Sequence, residues 1–306
     1  VEEPTINIKI GPNTSPFAGR EGTFVTTRQI KDRLLKELET NLGLKFELDP
    51  ASSSYIISGR GELHLAVLIE TMKREGFELQ VSNPQVIFKD VEGKKCEPYE
   101  ELTIDVHKDY MGAVTDEIGK RKGKLINMHT VGDTNMRLIY KISSRNLIGV
   151  RSKLLTATRG TAVLNTYLIG YEPVGTYMEN VRNGALISTQ SGETMSYGLG
   201  FAQERGSMFY GSQVKVYEGM VVGMANQDKD IEVNVCKAKQ LSNNRSSGEG
   251  VKVILEPPII LSLEQYLDII GDDELLEVTP KNLRLRKQYL TLTQRRIENR
   301  RAASSK

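Results

Sequence analysis

Charge changes sign abruptly near the C-terminal end of the chain. Residues 264–280 hold six acids (Glu264, Asp268, Asp272, Asp273, Glu274, Glu277) and no Lys or Arg. Residues 281–301 hold eight bases (Lys281, Arg284, Arg286, Lys287, Arg295, Arg296, Arg300, Arg301) and one acid, Glu298. On a strand, Arg284 and Arg286 share one face and Leu283 and Leu285 the other. Guanidinium groups in a row on a rigid strand suit phosphates, which they can grip bidentately. The alternative is that this face pairs with the acidic segment inside the molecule. Three further basic groups stand out. Lys120, Arg121, Lys122 and Lys124 crowd a predicted helix end, where cations also suit the helix dipole. Arg145, Arg151, Lys153 and Arg159 punctuate the next helix. The stretch Lys237-Ala-Lys-Gln-Leu-Ser-Asn-Asn-Arg-Ser-Ser-Gly-Glu-Gly250 is polar and basic with no apolar cluster to anchor it. Lys237, Lys239, Asn244, Arg245, Ser246 and Ser247 are of the types that contact phosphate and sugar.

Other chemistries lack their residues. No G-x-x-x-x-G-K-[ST] occurs, so no P-loop grips a triphosphate. Gly59-x-Gly61 before a helix lacks the third glycine of a dinucleotide fingerprint, because His64 stands there. His64, His107 and His129 are scattered without metal-ligand spacing, and no G-x-S-x-G elbow appears. An acylphosphatase-type site would need an arginine loop and a helix asparagine together, and Arg20 and Asn41 fit no obvious geometry. No catalytic residue, cofactor or metal is therefore expected in this chain.

The elements that must position these groups fall into three blocks. Residues 5–10 alternate like a strand, and Ile30, Leu34, Leu38 and Leu42 follow a helical stripe. Two short strands come next, near 44–49 and 54–58. A helix carries Leu65, Leu68, Ile69 and Met72 up to Gly76, and a strand covers 77–81. This β-α-β-β-α-β order is the ferredoxin-like signature. It recurs: a strand at 101–107, a helix with Met111, Val114 and Ile118, strands near 124–129 and 135–142, a helix through Leu147, Val150, Leu154 and Ala157, and a strand at 161–169. From about residue 175 frequent glycines separate short β-like runs. Ser262 and Gln265 form a capping-box pair for a helix, a hairpin follows at 275–287, and a polar helix or tail ends the chain. The expected fold class is α+β: two tandem ferredoxin-like (βαββαβ) domains, 1–92 and 93–173, then a β-rich C-terminal domain, 174–306, with a terminal helix.

Bulk composition agrees with a globular protein of two or three domains: 306 residues, 39% hydrophobic and 26% charged, with a net charge of only +2. Cys96 and Cys236 lie far apart, which predicts neither a disulfide framework nor a zinc site and fits a reducing, cytoplasmic compartment. No apolar run reaches 18 residues, so no membrane contact is expected. Val1-Glu-Glu-Pro-Thr is neither a signal peptide nor a natural start, and the chain reads as a piece of a longer protein.

Several blocks carry a family likeness. Asn13-Thr-Ser-Pro-Phe-Ala-Gly-Arg-Glu-Gly22, Val25-Thr-Thr-Arg-Gln-Ile30 and Ser58-Gly-Arg-Gly-Glu-Leu-His-Leu65 resemble the third domain of BipA/TypA translational GTPases. Elongation factor G has a close variant of the last. Ser144-Arg-Asn-Leu-Ile-Gly149 resembles the family's second ferredoxin-like unit, corresponding to the fifth domain of elongation factor G. Lys239-Gln-Leu-Ser-Asn-Asn-Arg-Ser-Ser-Gly248 and Asp272-Asp-Glu-Leu-Leu-Glu-Val-Thr-Pro280 resemble its special C-terminal domain. Elongation factor G inserts a domain between the two units, and this chain does not; LepA lacks the insertion but ends in a different domain. The resemblance implies binding at the ribosomal factor site, with GTP and Mg in an N-terminal domain absent here. It implies a role in large-subunit assembly and in stress or cold adaptation. The implied partners are the ribosome, large-subunit rRNA and A-site tRNA, met by a monomer through the loop from Lys237 to Arg245 with Ser246 and Ser247.

A runner-up reading remains: paired ferredoxin-like domains can also form a small-molecule-sensing regulatory module, which a thermal shift with nucleotides or amino acids in the absence of RNA would favour.

Overall fold

The computed structural model describes residues 2–176, 182–240 and 252–305. The first unit runs β1 (Ile6–Gly11), α1 (Thr27–Thr40), β2 (Lys45–Leu48), β3 (Tyr55–Gly59), α2 (Glu62–Arg74) and β4 (Leu79–Ser82). Its antiparallel strands lie in the order β4-β1-β3-β2, the ferredoxin-like arrangement. Alternation sets the register: Ile8 opposes Ile57, and Ile6, Ile8 and Ile10 all point into the core. Thr26 and Gln29 cap α1 reciprocally, which satisfies otherwise orphaned N–H groups. Ile30 and Leu34 are buried beneath it. Leu42, expected on the same stripe, is 77% exposed because the helix ends at Thr40 and the stripe ends with it.

Short strands β5 (Gln85–Val86) and β6 (Lys89–Val91) lead into the second unit; β5 pairs with β1, and β6 with the long strand that follows it. That unit contains β7 (Lys94–His107), α3 (Met111–Lys120), β8 (Lys124–Val131), β9 (Asn135–Ser143), α4 (Ser144–Leu147), α5 (Val150–Ala157) and β10 (Val163–Pro173). Its order, β10-β7-β9-β8, repeats the first topology. The single helix predicted around Leu147–Ala157 is in fact two. Gly149 sits at φ +83 between them, a left-handed conformation that breaks the helix and that glycine adopts at little cost.

The last block contains β11 (Ala185–Ser188), β12 (Gly192–Glu193), α6 (Ser196–Gln203), β13 (Gly206–Met208), β14 (Lys215–Val216), β15 (Val221–Ala225) and β16 (Ile231–Val233). Four of these strands form the sheet β13-β15-β11-β16, and β12 pairs with β14. Helix α6, read from sequence as part of a glycine-punctuated β region, buries Gly198, Leu199 and Ala202. The chain closes with α7 (Leu263–Ile269), β17 (Glu274–Val278), β18 (Leu283–Lys287) and α8 (Leu292–Ser304).

The hairpin β17–β18 does not stay with the C-terminal block. It adds to the edge of the first unit's sheet, giving β18-β17-β4-β1-β3-β2, with Leu276 opposite Val81 and Val278 opposite Leu79. An edge strand offers a row of unpaired N–H and C=O groups, and β17 takes them up. Leu276, Val278 and Leu285 are fully buried in the same core as Ile8 and Ile69. Burial of each contributes about 1.5–3 kcal/mol. The hairpin of the 174–306 segment thus extends the first unit's sheet.

Candidate nucleic-acid interface

The residues expected to face RNA separate into two classes once the tertiary structure is known. Arg284, Arg286 and Lys287 belong to the first, and the expectation of a phosphate-facing row does not hold for them. All three are buried. Arg284 Nη1 donates to Glu277 Oε1 at 3.2 Å, Nη2 pairs with Glu21, and the guanidinium lies 5.0 Å from the Phe17 ring centre. Arg286 Nη2 donates to Gln80 Oε1 at 2.7 Å and Thr14 Oγ1 at 3.0 Å. Lys287 Nζ meets Asp230 at 2.6 Å and both Asp273 and Glu274 at 3.0 Å. The strand register causes this directly: Glu277 opposes Arg284 and Glu274 opposes Lys287. The acidic and basic segments are two sides of one ladder.

Glu277 is the hub. Its Oε1 also accepts from Ser15 Oγ at 2.6 Å and Asn13 Nδ2 at 2.9 Å, and its Oε2 accepts from Tyr217 O–H at 2.9 Å. Two segments distant in sequence, the loop of Asn13 and Ser15 and the turn of Tyr217, therefore converge with the neighbouring Arg284 on one carboxylate. Burial alone would lower the pKa values of Arg284 and Lys287, but the surrounding carboxylates more than offset it and both are raised. Burial wins at Arg286, whose pKa is lowered. Burial also holds the Tyr217 phenol well above its ordinary value, so it stays protonated and donating.

Three more predicted contacts are internal. Arg121 is buried, with Nε on Glu117 at 2.8 Å and Nη1 on the carbonyls of Asn146 and Ile148 at 3.0 and 2.6 Å. It staples the end of α3 to the break between α4 and α5. Arg295 gives Nη1 to the carbonyls of Tyr289 and Leu290 and Nη2 to Glu232 at 2.5 Å, tying α8 to β16. Arg145 pairs with Glu97 at 3.0 Å and donates to the Gly175 carbonyl at 3.1 Å. In each case a long side chain reaches helix-end or loop carbonyls that would otherwise be orphaned.

The second class remains open to solvent. Lys120, Lys122 and Arg151 are all exposed; Arg121 brings all three to the same end of the second unit's helical layer. Arg296 is exposed on α8, whose buried surface is limited to Arg295. Lys237 and Lys239 are exposed just beyond β16. Asn244, Arg245, Ser246 and Ser247 lie outside the described residues.

A pair of residues absent from the sequence reading joins this class. Tyr197 and Phe201 lie one turn apart on α6, with ring centres 4.9 Å apart and planes at 82°. Lys237 Nζ sits 5.9 and 5.8 Å from the two ring centres. The i, i+4 aromatic spacing was the available signal, masked by the neighbouring glycines.

The glycine turn Gly59-Arg60-Gly61 does not suit a triphosphate. Gly61 caps α2, and the next side chain is the carboxylate Glu62, at the helix end where a phosphate would need to sit. His64 is held locally, its Nε2 lying 2.9 Å from the Asn41 amide nitrogen.

Glu62 itself lies where the units meet. One carboxylate oxygen accepts from Gly149 N–H at 3.3 Å, and it borders a cavity of about 250 Å³ with Arg60, Glu100, Arg151 and Glu264. Burial raises its pKa to about 7, with Glu264 adding repulsion and the Gly149 N–H, Arg121 and Arg151 opposing. Because the folded value exceeds the ordinary 4.5, folding favours the protonated acid. That contribution is fully present below about pH 4.5 and is lost as pH rises through about 7. Glu62→Gln should therefore match the wild type near pH 4.5 and exceed its stability at pH 8 by about 3 kcal/mol. Urea midpoints across this range provide the check; parallel pH profiles would contradict it.

Comparison with known proteins follows this architecture. The model of the TypA/BipA C-terminal domain matches residues 183–292, and that of the elongation factor G C-terminus matches residues 94–182. The large ribosomal subunit assembly factor BipA of Salmonella typhimurium LT2 is 48% identical over 301 residues, 98% of this chain and 50% of that protein. The Haemophilus influenzae protein of the same name is 45% identical over 306 residues, all of this chain and 50% of its own length. The Synechocystis protein is 44% identical over 287 residues, 94% of this chain and 48% of that one. The chain thus spans about half the length of these curated relatives.

Proposed function

The chain belongs to the BipA/TypA family, and from that premise we propose that it is the ribosome-binding, RNA-contacting portion of a translational GTPase acting in large-subunit assembly. The observation that carries this reading is the division of the bases just described. Those on β18 are consumed internally, whereas Lys237, Lys239 and Arg296 stand in solvent on a block whose terminal helix is polar nearly all round. A helix without an apolar stripe gains little from its own packing and presents its charge outward. Lys120, Lys122 and Arg151 form a second basic edge on the other unit.

On this reading the chain supplies contacts to large-subunit rRNA and A-site tRNA as a monomer in the cytoplasm. GTP and Mg belong to a domain outside it. Any role in stress or cold-adaptive translation follows from the ribosome contact.

Co-sedimentation of the chain with purified large subunits tests the reading. Binding should be clear at 50 mM salt and fall at least about a hundred-fold by 200 mM, since displaced counterions set the slope. Absence of binding at low salt, or binding indifferent to salt, would overturn it.

A further inference from the structure

Lys89, Lys95 and Lys141 each lie over a single aromatic ring, whereas at α6 one lysine stands beside two. The helix's buried face is Gly198, Leu199 and Ala202, so Tyr197 and Phe201 project from another side. Phe201 is 51% exposed. Packing within the chain does not require a large aromatic there. Lys237 already lies within cation–π range of both rings. The segment that returns toward α7 also passes this helix: Gln203 Nε2 donates to the Ile254 carbonyl at 2.7 Å, and its Oε1 accepts from Glu256 N–H at 3.0 Å. That places exposed Lys252 two residues before a stretch fastened to α6. The acids Glu204 and Glu256 lie toward the helix's C-terminal end, so the positive side is that of Lys237.

We propose that Tyr197 and Phe201 form a stacking platform for an unpaired base of single-stranded RNA, with Lys237 neutralising the adjoining phosphate. The proposal rests on the RNA-contacting reading above and deepens it by naming the class of nucleic acid and the residues that hold it. The chemistry favours a single strand over a duplex, because only an unstacked base offers its face to a ring. It favours nucleic acid over an apolar protein segment because an ammonium stands at the rings, where a greasy partner would have to desolvate it. Stacking on an aromatic tolerates any base, so the platform would add affinity with little sequence preference.

Anisotropy titrations of the chain with a labelled 12-nucleotide oligouridine and a 12-base-pair RNA duplex, each at several salt concentrations, provide the test. Phe201→Leu should weaken oligouridine binding by about five- to a hundred-fold while leaving its salt slope and the duplex affinity unchanged. Phe201→Tyr should restore most of the binding. Lys237→Gln should instead flatten the slope by about 0.7. Thermal melts of the variants should match the wild type, since both positions are exposed. Unchanged oligouridine binding by Phe201→Leu overturns the platform alone and would leave the aromatic pair to a protein contact. Equal losses for duplex and single strand also overturn it. No RNA binding by the wild-type chain overturns both the platform and the reading beneath it.

Discussion

Glu277→Ala is expected to destabilise the chain by about 3–5 kcal/mol, the cost of leaving a buried charge without its partner. Removal of this one carboxylate strips Arg284 of its 3.2 Å partner and leaves the Tyr217 hydroxyl, Ser15 and Asn13 without an acceptor. Glu21 still faces Arg284. Glu277→Gln should cost less, because an amide oxygen can go on accepting from Tyr217 or Ser15. Urea unfolding of the two variants measures the difference. A loss below 1 kcal/mol for the alanine variant would mean that solvent reaches the site and replaces the carboxylate. The same geometry governs the obvious charge reversal: Arg284→Glu with Arg286→Glu places acids against Glu21 and Glu277, and the resulting loss of binding would report unfolding, not a lost phosphate contact.

Gly219→Ala should have the next largest effect, about 3 kcal/mol, through two independent costs. The residue sits at φ +87, where a side chain is strained. A Cβ there would also lie 2.6 Å from both Cα and the carbonyl oxygen of Leu290, backbone that cannot swing aside. Gly219 is the suture between the blocks: its carbonyl accepts from Lys287 N–H at 2.9 Å and its N–H donates to Ser188 at 2.9 Å. Met220 beside it bridges to Arg286. The substitution should therefore loosen the C-terminal block from the first sheet, seen as faster amide exchange at Lys287 and a lower melting temperature. Exchange at Lys287 equal to that of the wild type would refute the suture.

Much of the architecture was legible in local pattern. The strand at Ile6–Gly11, the 101–107 half of the strand Lys94–His107, the α2 stripe of Leu65, Leu68, Ile69 and Met72, and the Ser262–Gln265 cap all follow from periodicity and capping chemistry that act within a few residues. The twofold β-α-β-β-α-β order follows from those elements, and the blocks shared with relatives extend through nearly the whole chain. Where local signals conflicted, they misled. A left-handed Gly149 cut one helix into two, and glycines around α6 hid a helix whose aromatic pair matters to the proposed RNA contact.

The candidate site was legible only in part. Composition shows that Arg284, Arg286, Lys287, Arg121 and Arg295 are charged and where they fall along the chain. It does not show what covers them. An alternating strand ordinarily has one wet face, but here the polar face of β18 is covered by the loop carrying Thr14, Phe17 and Glu21 and by Tyr217 of the β-rich block. Those partners lie 60 to more than 260 residues away from the groups they bind, as the separations of 60 for Tyr217–Glu277 and 272 for Arg286–Thr14 show. Sequence alone determined most of the elements, the twofold order of the first two units and the family likeness, because these depend on near-neighbour sterics, periodic burial and long characteristic blocks of residues. Tertiary structure alone decided which bases remain free to meet a phosphate, because desolvation and ion pairing are set by whatever the fold brings alongside.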